Sequence, residues 1–157
     1  MNNVVKLILS VALPLAVGAS GSYFTIPEIN NWYQTIQKPS WNPPNWIFGP
    51  VWTTLYALMG IALYLVWKSR NSNGVKSFAI SFFMIQLGLN FFWSVIFFNK
   101  HQAGLAFAEI ILLWIFILFT IFSFSRVNNT ASWLLVPYIS WVSFAMILNY
   151  TIWQLNK

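Results

Sequence analysis

Apolar positions fall in five long runs along the chain, at about residues 4–26, 46–67, 77–98, 103–124 and 132–153. Each has the length of a helix that crosses a bilayer, which takes about 20 residues. None shows the alternating strands of about 10 residues that a membrane barrel requires. Links at 68–76, 99–102 and 125–131 are short, which forces antiparallel neighbours. The pattern predicts an all-α integral membrane protein, a single domain of five transmembrane helices over 1–157, with one longer, structured loop at 27–45. The first run follows Lys6, as a signal peptide would. It is too long for an ordinary signal core, and no clear cleavage site stands out before Tyr23 and Phe24, so it reads as a span. An odd number of spans and no strong internal repeat argue against the paired halves of many secondary transporters.

The most unusual stretch is 38–56, KPSWNPPNWIFGPVWTTLY, with four prolines and three tryptophans at the start of the second span. Proline fixes φ and offers no backbone donor, so the first part is neither mid-helix nor central strand. It reads as a stiff loop, cheap to order because its unfolded states are already restricted. It delivers Trp41, Trp46 and Trp52 to the membrane surface and can hold an aromatic wall over a cavity.

Composition agrees with the pattern. Hydrophobic residues make up 59% of the chain and charged ones 6%, against roughly 25% charged in soluble domains. The eight basic residues lie between the apolar runs, where lipid headgroups and topology explain the net charge of +6 better than nucleic acid does. Five of them (Lys6, Lys68, Arg70, Lys76, Arg126) fall on the side of the N-terminus and three (Lys38, Lys100, Lys157) on the other, which predicts a cytoplasmic N-terminus. With no cysteine and one histidine, His101, a thiolate nucleophile, a cysteine metal site and a multi-histidine zinc or copper site are excluded. His101 sits in a short link and reads as an ordinary solvated side chain.

Spacing selects candidate inward faces. Trp52 and Tyr56 are four apart; Gln86, Asn90 and Trp93 follow i, i+4, i+7; so do Trp141, Ala145 and Leu148, with Asn149 beside them. Amides are costly against lipid, so Gln86 and Asn90 point into the bundle, either as bonds between helices or as the lining of a cavity with the tryptophans. Glu109, about two turns into its span, must be neutral, bonded to a hydroxyl or amide, or facing water. Trp67, Trp133 and Trp153 lie near span ends, where indoles anchor at the interface. Gly18 with Ser22, Gly60 and Gly88 mark close helix approach.

These residues resemble the tryptophan-rich sensory protein and translocator protein family, also known as the peripheral-type benzodiazepine receptor family. The resemblance runs through Trp32-Tyr33, Lys38-Pro-Ser-Trp-Asn-Pro-Pro44, Trp46 to Tyr56, Gln86-Leu-x-Leu-Asn90 with Trp93, Phe97-Phe98, Glu109, Pro137-Tyr138 with Trp141, and Phe144 to Trp153. It implies a five-helix bundle, often a homodimer. It also implies a pocket under the first loop for porphyrins such as protoporphyrin IX and for benzodiazepine-site ligands. The ligand-binding residues it implies are Tyr33, Trp52, Asn90, Trp93, Trp141, Ala145 and Leu148, with no metal and no resident cofactor. The family's sterol pattern allows at most five residues between Tyr150 and a basic residue; six separate it from Lys157, one too many, which argues against sterol binding.

Three functions follow from the resemblance: a porphyrin receptor or sensor; a light- and oxygen-dependent enzyme degrading protoporphyrin, with Trp52 and Trp141 as redox relays; and a tetrapyrrole transporter, disfavoured by the missing repeat and ion site. No acid, base, nucleophile or metal set supports hydrolysis or group transfer, so any reactivity would come from the ligand.

Overall fold

The computed structural model describes residues 1–157 as helices and connections, with no strand. The first span is α1 (Asn3–Asn30), capped by Asn2, whose side chain accepts from Val4 N at 3.0 Å. A single turn, α2 (Trp32–Thr35), is followed by a non-helical segment to Pro44. The second span is α3 (Asn45–Lys68) and the third is α4 (Asn73–Ser94), which continues through a wider π turn, Val95–Asn99. The fourth is α5 (Ala103–Ser125). The fifth is broken into α6 (Asn129–Leu134) and α7 (Val136–Leu155).

All five spans are apolar and long enough to cross a membrane. Their ends depart from the hydropathy pattern in two instructive places. The loop expected at 27–45 is shorter, because α1 runs on through Pro27 to Asn30; near a helix end, proline removes only one backbone bond. The run at 132–153 is not one helix. It begins earlier, at Asn129, and breaks at Leu135, because Pro137 cannot donate to the carbonyl of Trp133 and instead starts α7.

The helices form a closed ring in the order α1, α3, α6/α7, α5, α4 and back to α1. The half of the bundle holding the N-terminus is densely packed: Met59, Ala62, Val66, Phe83, Ile117, Phe124 and Val142 are fully buried, and Phe83 stacks on Phe124 at 5.7 Å. A second cluster, Tyr33, Phe97, Phe98, Ala106, Leu148 and Ile152, closes the loop end.

Glycine permits the tightest crossing, between α1 and α3. A Cβ on Gly60 would lie 2.8 Å from the carbonyl oxygen of Ser10, and Pro14 leaves that carbonyl without its helical donor. A Cβ on Gly18 would collide with the ring of Tyr56. Gly88 corrects the expectation of close approach: nothing lies within 4 Å of a Cβ placed there.

Gly60→Ala is therefore expected to destabilise the bundle by about 1–3 kcal/mol through overpacking. Gly88→Ala should be neutral or stabilising, since alanine favours helix by up to about 1 kcal/mol. Thermal unfolding of the two variants in detergent checks the pair; equal loss in both would show that the crossing is not set by Gly60.

Candidate ligand cavity

Above the α1–α3 crossing the helices separate around a cavity of about 570 Å³. That lies within the roughly 300–1,000 Å³ of small-molecule sites. Four helices line it. α1 contributes Gly18, Gly21, Ser22, Thr25 and Ile29; α3 contributes Trp46, Phe48, Trp52 and Tyr56; α4 contributes Trp93, Phe97 and Phe98; α7 contributes Trp141, Phe144, Ala145 and Leu148. The aromatic walls brace one another. Trp52 stacks on Tyr56 at 5.5 Å, Trp93 on Phe97 at 5.1 Å, and Phe48 meets Trp141 edge-on at 6.2 Å. No charged residue is among the lining.

Behind the floor runs a directed hydrogen-bond ladder. The Tyr56 hydroxyl donates to Asn90 Oδ1; Asn90 Nδ2 donates to Tyr138 Oη at 3.0 Å; and the Tyr138 hydroxyl donates to Gln86 Oε1 at 2.8 Å. It ends with Gln86 Nε2 facing Met59 Sδ at 3.9 Å. Since the Tyr56 hydroxyl is engaged in this ladder, Tyr56 presents its ring to the cavity and not a free hydroxyl. A second amide locks the opposite wall: Asn149 accepts from Trp93 Nε1 at 3.0 Å and donates to the carbonyl of Ala103 at 2.8 Å. It thereby ties α4, α7 and the start of α5.

The loop is pinned to the bundle. Tyr33 donates to Asn42 Oδ1 at 2.8 Å, and Lys38 donates to the carbonyls of Tyr33 and Ile36 while its ammonium sits 4.9 Å from the centre of the Tyr33 ring. Gln37 and Asn156 exchange two bonds, at 2.9 and 2.8 Å. Trp41 meets Phe144 at 5.9 Å.

The pattern of the TspO/MBR family matches residues 10–154 of the chain. The chain belongs to the TspO/MBR family. It is 49% identical to the tryptophan-rich protein TspO of Chlorobaculum tepidum, over 98% of this chain and 97% of that one. It is 40% identical to the human translocator protein, over 87% of this chain and 81% of that one. With the tryptophan-rich sensory protein of Cereibacter sphaeroides it shares 33% identity, over 90% and 87% of the two chains. It is a multi-pass membrane protein of this family.

Within this TspO/MBR bundle, Trp52, Trp93, Trp141, Ala145 and Leu148 stand together on the cavity surface. Asn90 and Tyr33 do not. Asn90 lies behind Tyr56 in the ladder, and Tyr33 packs on Phe97 and Phe98, one layer beyond the cavity. Gln86 resolves as a bond between helices, not as lining. The wall that sequence reasoning missed is α1. Its signal is the small-residue set Gly18, Gly21, Ser22 and Thr25, at helical spacing on one face.

Two further expectations need correction. His101 is not merely solvated: its Nε2 lies 2.9 Å from Glu28 Oε2, and its ring stacks on Trp32 at 4.4 Å, tying the end of α1 to the α4–α5 link. For Glu109 the bond to a hydroxyl or amide and the water-facing position both fall, since its two carboxyl oxygens are buried without a partner, and of the three alternatives the neutral form stays.

Burial pushes the Tyr33 hydroxyl up to about 12, against the pull of its bond to Asn42. The folded protein thus holds the tyrosine proton more tightly than the unfolded chain does. The resulting stability is complete below about pH 10 and is lost as pH rises toward 12. Comparing the ultraviolet tyrosinate titration of the protein with that of Tyr33→Phe should show one late-titrating hydroxyl missing from the variant. If the hydroxyl missing from the variant is instead one that titrates near pH 10, Tyr33 is in contact with water.

Proposed function

We propose that this protein is a membrane receptor or sensor for porphyrins, protoporphyrin IX foremost, and that benzodiazepine-site ligands occupy the same cavity. One observation carries this reading. Three indoles, Trp52, Trp93 and Trp141, from three helices surround an uncharged space that Tyr56 also lines. A flat apolar macrocycle suits such walls, and aromatic pairing adds about 0.5–1.5 kcal/mol per ring pair beyond burial. The names of the relatives, a sensory protein and translocator proteins, accord with small-molecule recognition in a membrane. On this reading the N-terminus is cytoplasmic, by the five-to-three distribution of basic residues. The working form is a homodimer, as the family resemblance implies.

The second reading is light- and oxygen-dependent breakdown of the bound porphyrin. Its support is a line of oxidisable rings: Trp52 stacks on Tyr56 and meets Tyr138 edge-on at 6.3 Å. An excited macrocycle would draw an electron from Trp52 or Trp141 and pass it to oxygen. The indole radical cation would then recover an electron from the macrocycle, so that the indole is restored and the net oxidation by oxygen falls on the porphyrin.

Titration with protoporphyrin IX in detergent should quench tryptophan emission saturably, at micromolar Kd or tighter, roughly −8 kcal/mol. Trp52→Phe and Trp141→Phe keep a flat apolar surface and should retain much of this binding. If they also lose porphyrin breakdown per bound molecule under fixed light, the second reading holds. If they turn over like the wild type, the indoles are walls only. Absence of saturable quenching would remove both readings.

A further inference from the structure

We propose that the cavity is filled sideways, from the bilayer, through a slit between the loop-side halves of α1 and α3. Its ligands would then be flat apolar molecules already dissolved in lipid. This deepens the reading of the cavity as a ligand site and rests on it.

Exposure locates the slit. Every lining residue that is itself exposed belongs to α1 or α3, and none belongs to α4 or α7. Apart from Asn45 at the top, they are Ala19, Ser22 and Ile26 on α1 and Trp46, Gly49 and Thr53 on α3. Both triplets follow i, i+3, i+7, so each is one stripe on one helix face. The stripes border the same cavity and therefore form its two lips.

Packing explains why a gap exists there. The helices meet where Gly18 abuts Tyr56 and Gly60 abuts Ser10 and Val11, and the cavity lies on the loop side of that contact. Four of the six lip residues are small or short. A Cβ on Gly49 would meet nothing within 4 Å. Only Trp46, 73% exposed, and Ile26, 61% exposed, present large side chains at the opening.

The lips also suit lipid. Ser22 donates its hydroxyl proton to the carbonyl of Gly18 at 3.0 Å, and Thr53 donates to that of Gly49 at 2.9 Å. A hydroxyl satisfied by its own helix leaves no bare donor toward hydrocarbon, where an unsatisfied group costs several kcal/mol. Toward the aqueous end Phe97, Phe98, Leu148 and Ile152 line the cavity and pack with the buried Tyr33. No residue from 31 to 44 lines the cavity, Tyr33 is buried beneath the loop, and Asn156 bonds the loop to the end of α7.

The chain has no cysteine, so a single introduced thiol reports cleanly. The reporter is Ala145→Cys, on the α7 wall, in lipid nanodiscs whose two faces both meet buffer. Pyrene maleimide dissolves in the bilayer; a sulfonated maleimide stays in water. Each labelling rate is referred to a control, Phe78→Cys facing lipid and Gln34→Cys in the loop.

Pyrene maleimide should label Ala145→Cys readily and the sulfonated reagent hardly at all. Adding Gly49→Phe or Ser22→Phe should slow pyrene labelling about tenfold, equivalent to about 1.4 kcal/mol on the barrier. Trp46→Ala should speed it. The Phe78→Cys control should be unaffected, which separates a narrowed slit from a misfolded bundle. The proposal is overturned if the sulfonated reagent labels Ala145→Cys as fast as Gln34→Cys, or if both lip substitutions leave pyrene labelling unchanged. Labelling needs no porphyrin, so failure of protoporphyrin IX to bind would overturn the receptor reading while leaving this result to stand or fall alone.

Discussion

The ladder from Tyr56 through Asn90 and Tyr138 to Gln86 is the interaction on which the rest of the bundle depends. In hydrocarbon no water replaces a missing partner, so each of these groups must find one in the protein. Asn90 serves both tyrosines, accepting from Tyr56 and donating to Tyr138. That arrangement admits one register of α3, α4 and α7. It also turns the Tyr56 hydroxyl away into the ladder, so that the ring is what Tyr56 gives the cavity. The ring in turn requires that residue 18 carry no Cβ. A polar network, a steric rule on α1 and the shape of the cavity are therefore one constraint.

From that constraint the two halves of the molecule diverge in character. Toward the N-terminal side, alanines, valines and stacked phenylalanines fill the interior. Toward the loop, α1 and α3 part beyond their crossing, and bulky indoles stand around space. Asn149, the Glu28–His101 pair and the Gln37–Asn156 exchange keep this open half from collapsing or fraying, because each joins elements far apart in sequence. The cavity walls are thus held from behind and from above.

Much of this was legible in the sequence. Hydropathy alone located the spans, and helical spacing alone turned Trp52, Trp93 and Trp141 inward. Spacing gives direction but not depth, so it left Asn90 open between a bond linking helices and a lining, and the family resemblance implied a lining where Asn90 stands behind Tyr56. The small residues of α1 read as packing because a short side chain looks the same whether it abuts a helix or borders a void. Hydropathy is blind to a missing backbone donor, so the break before Pro137 went unread. Pairing across long separations, as in His101 with Glu28, leaves no mark in local pattern. Nor does the absence of a partner for Glu109.

The most direct test of the cavity as the ligand site is a structure of the protein with protoporphyrin IX bound. The macrocycle should lie within about 4 Å of Trp52, Trp93 and Trp141, the distance of apolar contact, with the Gly18–Ser22 turn of α1 against its edge and Asn90 screened behind Tyr56. A macrocycle found on the lipid face of the bundle or on the 31–44 loop, with those three indoles untouched, would contradict it.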